Sequence, residues 1–202
     1  MNAKTPAIDT RYCQHGKETR MSETRAQLKS IAIDQIRQAN LSAASFRELG
    51  KAAGIKSSSV HYHFQSREKL LTELLQDYDV DFFRHLNAQT SDSRRTKEKL
   101  MALIEVFEDG HQQKRQCMSL AYAASPQELS EANLEAFHTF VAHLEDWVSE
   151  ALSHASLLPI SRQELACLIV SALEGSLLLD RLHPDPKHLN AAKAWISTLS
   201  RF

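Results

Sequence analysis

The chain has 202 residues, 43% of them hydrophobic, enough to bury a core in one domain or two small ones, and its five glycines, five prolines and lack of alternating β-branched runs read as all-α. Three scattered cysteines exclude a disulfide framework, and no apolar run is long enough to cross a bilayer or to serve as a secretion signal, so a reducing cytoplasm is expected. The net charge of -1 hides a division: residues 1–70 hold twelve Lys and Arg against six Asp and Glu, the remainder twelve against nineteen, which suggests a polyanion-binding end on an acidic body.

Residues 1–20 carry no periodic apolar pattern and are expected as a disordered basic arm. Thr24 and Gln27 form a capping-box pair ahead of the stripe Leu28, Ile31, Ala32, Ile36 and Ala39, which predicts a first helix from there. Ser45 and Glu48 repeat the box before Phe46, Leu49, Ala52 and Ala53, and Gly54 supplies a left-handed stop. The serines at 57 to 59 open a third short helix through Phe64. Ser66 caps a fourth, carrying Leu70, Leu71, Leu74, Leu75, Tyr78 and Phe82.

Helices two and three, joined by a short turn around a glycine, make a helix-turn-helix. Gly50, inside a helix, costs up to about 1 kcal/mol relative to alanine, so it implies close approach of the two helices, with Val60 expected against it. Ser58, His61 and His63 also resemble parts of a catalytic or metal site. No GxSxG elbow surrounds any serine, no acid is placed near the histidines, and His61 and His63 point in different directions on a helix. Catalysis, metal and cofactor binding are therefore not expected. Small polar residues at a helix N-terminus, followed by Tyr62, His63 and Arg67, suit phosphate and base contacts.

The stretch "SFRELGKAAGIKSSSVHYHFQSREKLL", within Thr24 to Leu75, resembles the DNA-binding domain of the TetR family of bacterial transcription regulators. The resemblance implies a helix-turn-helix domain over residues 21–66 and a helical effector-binding and dimerisation domain over 67–202. It also leaves residues 1–20 as an arm or an over-assigned start, since Met21 stands just before the match. By position it assigns DNA contacts to Thr24, Arg25, Ser45, Arg47, Ser57, Ser58, Ser59, His61, Tyr62, His63, Arg67 and Lys69. His61 stands where the family commonly has tyrosine. The expected partners are double-stranded operator DNA, a second copy of the chain and a small-molecule effector, with no membrane.

Beyond the match, residues 87–93 are expected as a loop, followed by a fifth helix bearing Leu100, Leu103, Ile104 and Phe107 and a short sixth from about Cys117 to Ala124. Ser125, Pro126 and Glu128 predict the start of a long seventh helix with the stripe Leu134, Phe137, Val141, Leu144, Val148 and Ala151. Ser161 and Glu164 open an eighth, apolar to Leu182, and Asp185 and Pro186 a ninth bearing Leu189, Ala192, Ile196 and Leu199. Leucines around the eighth helix make it and the ninth the expected dimer faces, through Leu165, Leu168, Ile169, Leu173, Leu177, Leu189 and Ile196.

Aromatic residues with polar tips suggest an effector site of Phe140, His143 and Trp147 with Phe107, His111 and Tyr122. The segment from Cys117 to Leu152 is loosely similar to the NemR-like and AcuR-like branch of the family. Several members have a cysteine at the position of Cys117, and the branch responds to reactive small molecules or metabolites. Lys114, Arg115 and a helix N-terminus are expected to favour the Cys117 thiolate, giving an alternative in which covalent modification of Cys117 switches the protein. Cys167 is expected to be buried and inert, and Cys13 to lie in the arm.

Overall fold

Serine side chains cap the starts of four helices, each Oγ accepting the backbone N–H three residues on. They are Ser45 before α2 (Phe46–Ala53), Ser66 before α4 (Arg67–Thr90), Ser130 before α7 (Glu131–Ala151) and Ser161 before α8 (Arg162–Asp180). The remaining helices are α1 (Thr10–Gln38), α3 (Ser57–Phe64), α5 (Thr96–Gln112), α6 (Met118–Ala123) and α9 (Lys187–Leu199). Short 3-10 turns occupy Leu41–Ala44 and Pro126–Glu128. The structure, a computed structural model, describes residues 10–93, 95–155 and 158–199, and among these there is no strand.

Three predicted boundaries move. Thr24 is not a cap but lies inside α1, which is already helical at Thr10; with no proline between Pro6 and Thr24, nothing turns the chain before the box. Of the expected arm, residues 10–20 are helical and residues 1–9 lie outside the described residues. The loop expected at 87–93 starts later, because α4 runs on to Thr90, whose hydroxyl donates to Leu86 O. The Ser125–Pro126 signal makes only a 3-10 turn. Leu129 is extended (φ -98°, ψ 133°), and α7 begins with a capping box between Ser130 and Asn133.

That shift also changes the buried face of α7. Asn133, Ala136, Phe140, Leu144, Val148 and Ala151 face inward, while Leu134 is exposed and Phe137 and Val141 are half-buried. Asn133 carries the register: its Nδ2 donates to Glu68 O (2.9 Å) and Thr72 Oγ1 (2.8 Å), fastening α7 to α4.

Helices α1 to α3 close on Leu28, Ala32, Leu49, Val60 and Phe64, and α4 carries their core into that of α5 to α9. The leucine, valine and phenylalanine side chains contribute roughly 1.5–3 kcal/mol each by leaving water, and Ala32 less. Ion pairs hold α1 along α4: Arg25 to Glu73, and Lys29 to Glu73 (3.0 Å) and Asp77 (2.7 Å). Burial works to raise the Glu73 pKa, but the hydrogen bonds from Lys29 and Arg25 outweigh it and hold the carboxyl below its ordinary value.

The C-terminal carbonyls of α1 are capped by residues from elsewhere. Buried Gln116, between α5 and α6, donates through Nε2 to Ile36 O (3.1 Å) and Ala39 O (3.2 Å) and through its backbone N–H to Arg37 O (2.8 Å). Arg181, at the end of α8, donates to Gln116 Oε1 (3.0 Å), Gln38 O (2.7 Å) and Ala39 O (3.0 Å). The orphan acceptors of α1 are thereby satisfied by Gln116 and by Arg181, the residue after α8, which ties the first three helices to the far end of the chain.

Asp180, fully buried, caps α9 in a similar way by accepting from the backbone N–H of His188 (3.2 Å) and Leu189 (2.8 Å) and pairing with His188 Nδ1 (2.6 Å). Burial opposes its ionisation, but these donors prevail and its pKa is lowered. A carboxyl depressed in the folded state stabilises above its unfolded pKa of about 3.9 and loses that contribution as pH falls through the folded value. Asp180→Ala should cost about 2–4 kcal/mol at pH 7 and remove part of the acid limb of the stability profile, as chemical denaturation between pH 3 and 7 would show.

Candidate DNA interface and effector cavity

The turn between α2 and α3 is built on two glycines. Gly54 ends α2 at φ +68°, its N–H returning to Gly50 O and Lys51 O. A Cβ on Gly50 would stand 2.9 Å from Ile55 O and 3.2 Å from Ser57 N. The close approach expected at Gly50 is therefore to the backbone of the turn rather than to Val60.

This turn presents α3 outward. Ser57, Ser58, Ser59, His61 and Tyr62 are all exposed, Tyr62 at 72%, while Val60 and Phe64 anchor the opposite side. Lys56 precedes the helix without a side-chain cap, and its carbonyl accepts from Ser59 N (2.9 Å) and Val60 N (3.4 Å), which leaves the N–H groups of Ser57 and Ser58 open at the helix start. Open amides at a positive helix end, with lysine beside them, suit a phosphate. Lys56 and, on α2, exposed Arg47 and Lys51 complete the face. Sequence reasoning missed Lys56 and Lys51, although their spacing around the turn puts both on that side. His61 packs its ring edge against Phe46 with centroids 5.7 Å apart.

Other expected contacts have structural partners instead. Arg25 lies over the Phe64 ring at 5.0 Å, bonds Glu73 and reaches His63 O (3.4 Å). Arg67 donates to Leu41 O (2.8 Å) and Glu128 (2.7 Å), so its guanidinium is a link between the two 3-10 turns and not a free phosphate donor. Ser42 adds a bond to Glu128 at 3.1 Å. Ser45 is occupied as a cap, Lys69 Nζ bonds Gln65 Oε1 (2.6 Å), and Thr24 and His63 are half-buried.

The expected dimer residues separate into two sets. Leu165, Ile169, Leu173 and Leu177 of α8, with Leu189 and Ile196 of α9, are at most 4% exposed and pack within the protomer. The outward stripe is Leu168, Ser171, Gly175, Leu178, Leu179 and Leu182, with Trp195 of α9 also exposed. No atom lies within 4 Å of a Cβ built on Gly175, so the stripe has a shallow centre between leucines.

The expected effector residues do not converge. Phe140 and Tyr122 are core, Tyr122 donating to Leu71 O at 2.6 Å. His143 lies outside on α7, paired with Asp79 (2.9 Å), and Trp147 bonds Asn87 (2.9 Å). His111 joins α5 to the end of α8 through Asp180 O (3.2 Å) and His183 O (3.3 Å). A cavity of about 640 Å³ lies instead along the seam of α1, α4 and α5, with Arg37, Tyr78, Phe82 and Val106 among its walls. The same four residues, with Phe107 and Cys117, border a small void behind it.

The bacterial tetR-family regulatory protein model matches residues 30–74 and the C-terminal domain of LmrA/YxaF-like transcriptional regulators matches residues 96–194. The chain belongs to the TetR family. It is 36% identical over 99 residues to the HTH-type transcriptional repressor KstR2 of Rhodococcus jostii (strain RHA1), covering 48% of this chain and 45% of that repressor. The chain thus spans about half the length of the curated relatives it matches. A TetR transcriptional regulator from Legionella pneumophila superposes with TM-score 0.78 and 25% identity over 85% of this chain and 94% of that one. The reduced form of E. coli NemR superposes with TM-score 0.75, 18% identity and coverage of 87% and 96%.

Within this TetR-family body the NemR likeness is one of fold, and Cys117 is not an activated thiol. It is 3% exposed, with Ser119 Oγ at 3.1 Å and Tyr78 Oη at 3.7 Å. Burial, then the neighbouring Glu174 carboxylate, pushes its pKa up to about 12. The cations expected beside it are elsewhere, Arg115 facing Asp34 at 3.3 Å. Cys167, expected buried, is half-exposed, and the side chain of Cys13 lies outside the described residues. At pH 7.5 iodoacetamide should modify Cys117 at least about a hundredfold more slowly in the folded protein than in denaturant, read by mass spectrometry.

Proposed function

We propose that the chain is a cytoplasmic transcriptional repressor that binds a palindromic operator as a homodimer and is released by a small-molecule effector. The observation that carries the reading is the exposed α3 face, with open N-terminal amides, three serines and Tyr62 flanked by Lys56, Lys51 and Arg47. Residues 21–66 form the reading head of this proposal and residues 67–202 its effector and dimer body. Two heads joined through the α8 stripe read half-sites about 34–36 Å apart. The similarity to repressors named KstR2 supports repression as the sign of control. Within the head, Ser58 and Tyr62 read base edges, and Lys56 holds a phosphate.

The test is a salt titration of binding to DNA upstream of the chain's own gene. A steep fall of log K with log salt, at about -0.9 per phosphate neutralised, is expected, and no binding at low salt rejects the reading. Lys56→Ala should weaken all duplexes alike and reduce the slope by about one. Tyr62→Ala should cost about 1–3 kcal/mol on the operator alone, seen by competition between operator and scrambled duplex. Arg67→Ala should lower the melting temperature before it changes the salt slope, because its partners are Leu41 and Glu128.

A further inference from the structure

The seam cavity combines an aromatic floor with an acidic rim. Tyr78 and Phe82, both 8% exposed, lie at its base with Val106, and Asp81, Glu105 and Asp109 stand around its mouth. Its cations are already engaged: Arg115 is opposite Asp34 at 3.3 Å. Arg37 holds its guanidinium 5.5 Å from the centroid of the Tyr78 ring and donates through Nε to Gln116 O at 2.9 Å. Of the rim carboxylates Asp81 is paired with Arg84, while Glu105 and Asp109, the latter accepting from the neutral Gln113 amide, keep their charge. The charge offered to an occupant is therefore negative, and the face of Tyr78 already carries a planar cation.

We propose that this cavity binds a lipophilic organic cation, whose aromatic or alkyl body lies on Tyr78, Phe82 and Val106 and whose charge is held by the carboxylates of Glu105 and Asp109. A neutral ligand gains nothing from the rim, and an anion is repelled by it; a cation gains both the ring face and the carboxylates. Regulation follows from Arg37. A cation on the Tyr78 ring competes with the Arg37 guanidinium, and Arg37 displaced from the ring is pulled from Gln116 O. Gln116 is the residue that caps Ile36 O and Ala39 O at the end of α1, so the occupant loosens α1 from the end of α8. The cavity differs from the aromatic group expected on α7, and its walls belong to both the reading head and the body.

Binding is tested on the protein without DNA, so it stands apart from the repressor reading on which only its consequence rests. Tetraphenylphosphonium and its near-isosteric anion tetraphenylborate are titrated calorimetrically. Saturable binding of one phosphonium per chain, at least about tenfold tighter than the borate, is expected. Glu105→Gln with Asp109→Asn should weaken phosphonium about tenfold while leaving the melting temperature unchanged, since both carboxylates are exposed. Val106→Trp should abolish binding by filling the floor. Equal binding of the borate, or an unchanged phosphonium affinity in the double variant, overturns the site. For the consequence, operator affinity is first established without ligand, which tests the repressor reading alone. Saturating phosphonium should then lower it at least about tenfold in the native protein and leave the double variant unaffected at the same concentration; a saturated native protein with unchanged operator affinity overturns the switch.

Discussion

Leu178→Asp is expected to yield a folded monomer that no longer holds its operator. Leu178 is 50% exposed in the protomer and lies on the same face of α8 as Leu168, Ser171, Gly175 and Leu182. Exposure of Leu168, Leu179 and Leu182 alongside it leaves an apolar strip with no role inside one chain. In the proposed dimer the strip meets its own copy, and Gly175 lets the two helices approach. Aspartate there buries two carboxylates facing each other, at a cost of several kcal/mol. The protomer loses nothing, because the side chain points away from its core. Light scattering should give 22.8 kDa with an unchanged melting temperature. Operator affinity should fall about a thousandfold, since each head then binds one half-site without the other. Leu173→Ala is the contrast: Leu173 is fully buried, so the change should cost about 2–5 kcal/mol of stability and leave association as it was.

The sequence pattern marks leucine all round α8 but not which half turns inward, because that depends on α5, α7 and α9. The capping signals show a similar limit. Ser45, Ser66 and Ser161 cap as their spacing indicates. Ser125 with Glu128 fits the capping-box pattern of Ser or Thr followed three residues on by Glu or Gln, which Ser130 with Asn133 does not, yet the bonds of Asn133 to α4 put the start of α7 at Ser130. Charges were the least legible. Arg25 and Arg67 fit a DNA-contact pattern by position, yet their partners Glu73 and Glu128 lie 48 and 61 residues away. Cys117 follows two cations in sequence, but its spatial neighbours are Tyr78, Ser119 and Glu174, which favour the thiol. The exposed face of α3 was more legible, because its residues are adjacent in the chain and a single short helix orders them.

That same compactness makes Gly50 the most sensitive position in the head. Its neighbours across the turn are backbone atoms, Ile55 O and Ser57 N, and Ile55 N donates back to Gly50 O at 2.9 Å. A flexible side chain could move aside, but here the atoms belong to the link that sets the angle between α2 and α3. Alanine gains up to about 1 kcal/mol of helix propensity against this contact, so Gly50→Ala should be mildly destabilising. Valine adds two γ-carbons and loses most of that gain, and Gly50→Val should cost about 3 kcal/mol. The loss falls on a head whose small core centres on Leu28, Leu49, Val60 and Phe64. Operator binding should drop at least about a hundredfold at 25 °C, because the ordered α3 face is what places Ser58 and Tyr62. The α8 stripe is untouched, so light scattering should still report a dimer and circular dichroism should lose only part of its helical signal. A Gly50→Val protein with native operator affinity would show that the turn tolerates a Cβ and that the contact at 2.9 Å is not a constraint.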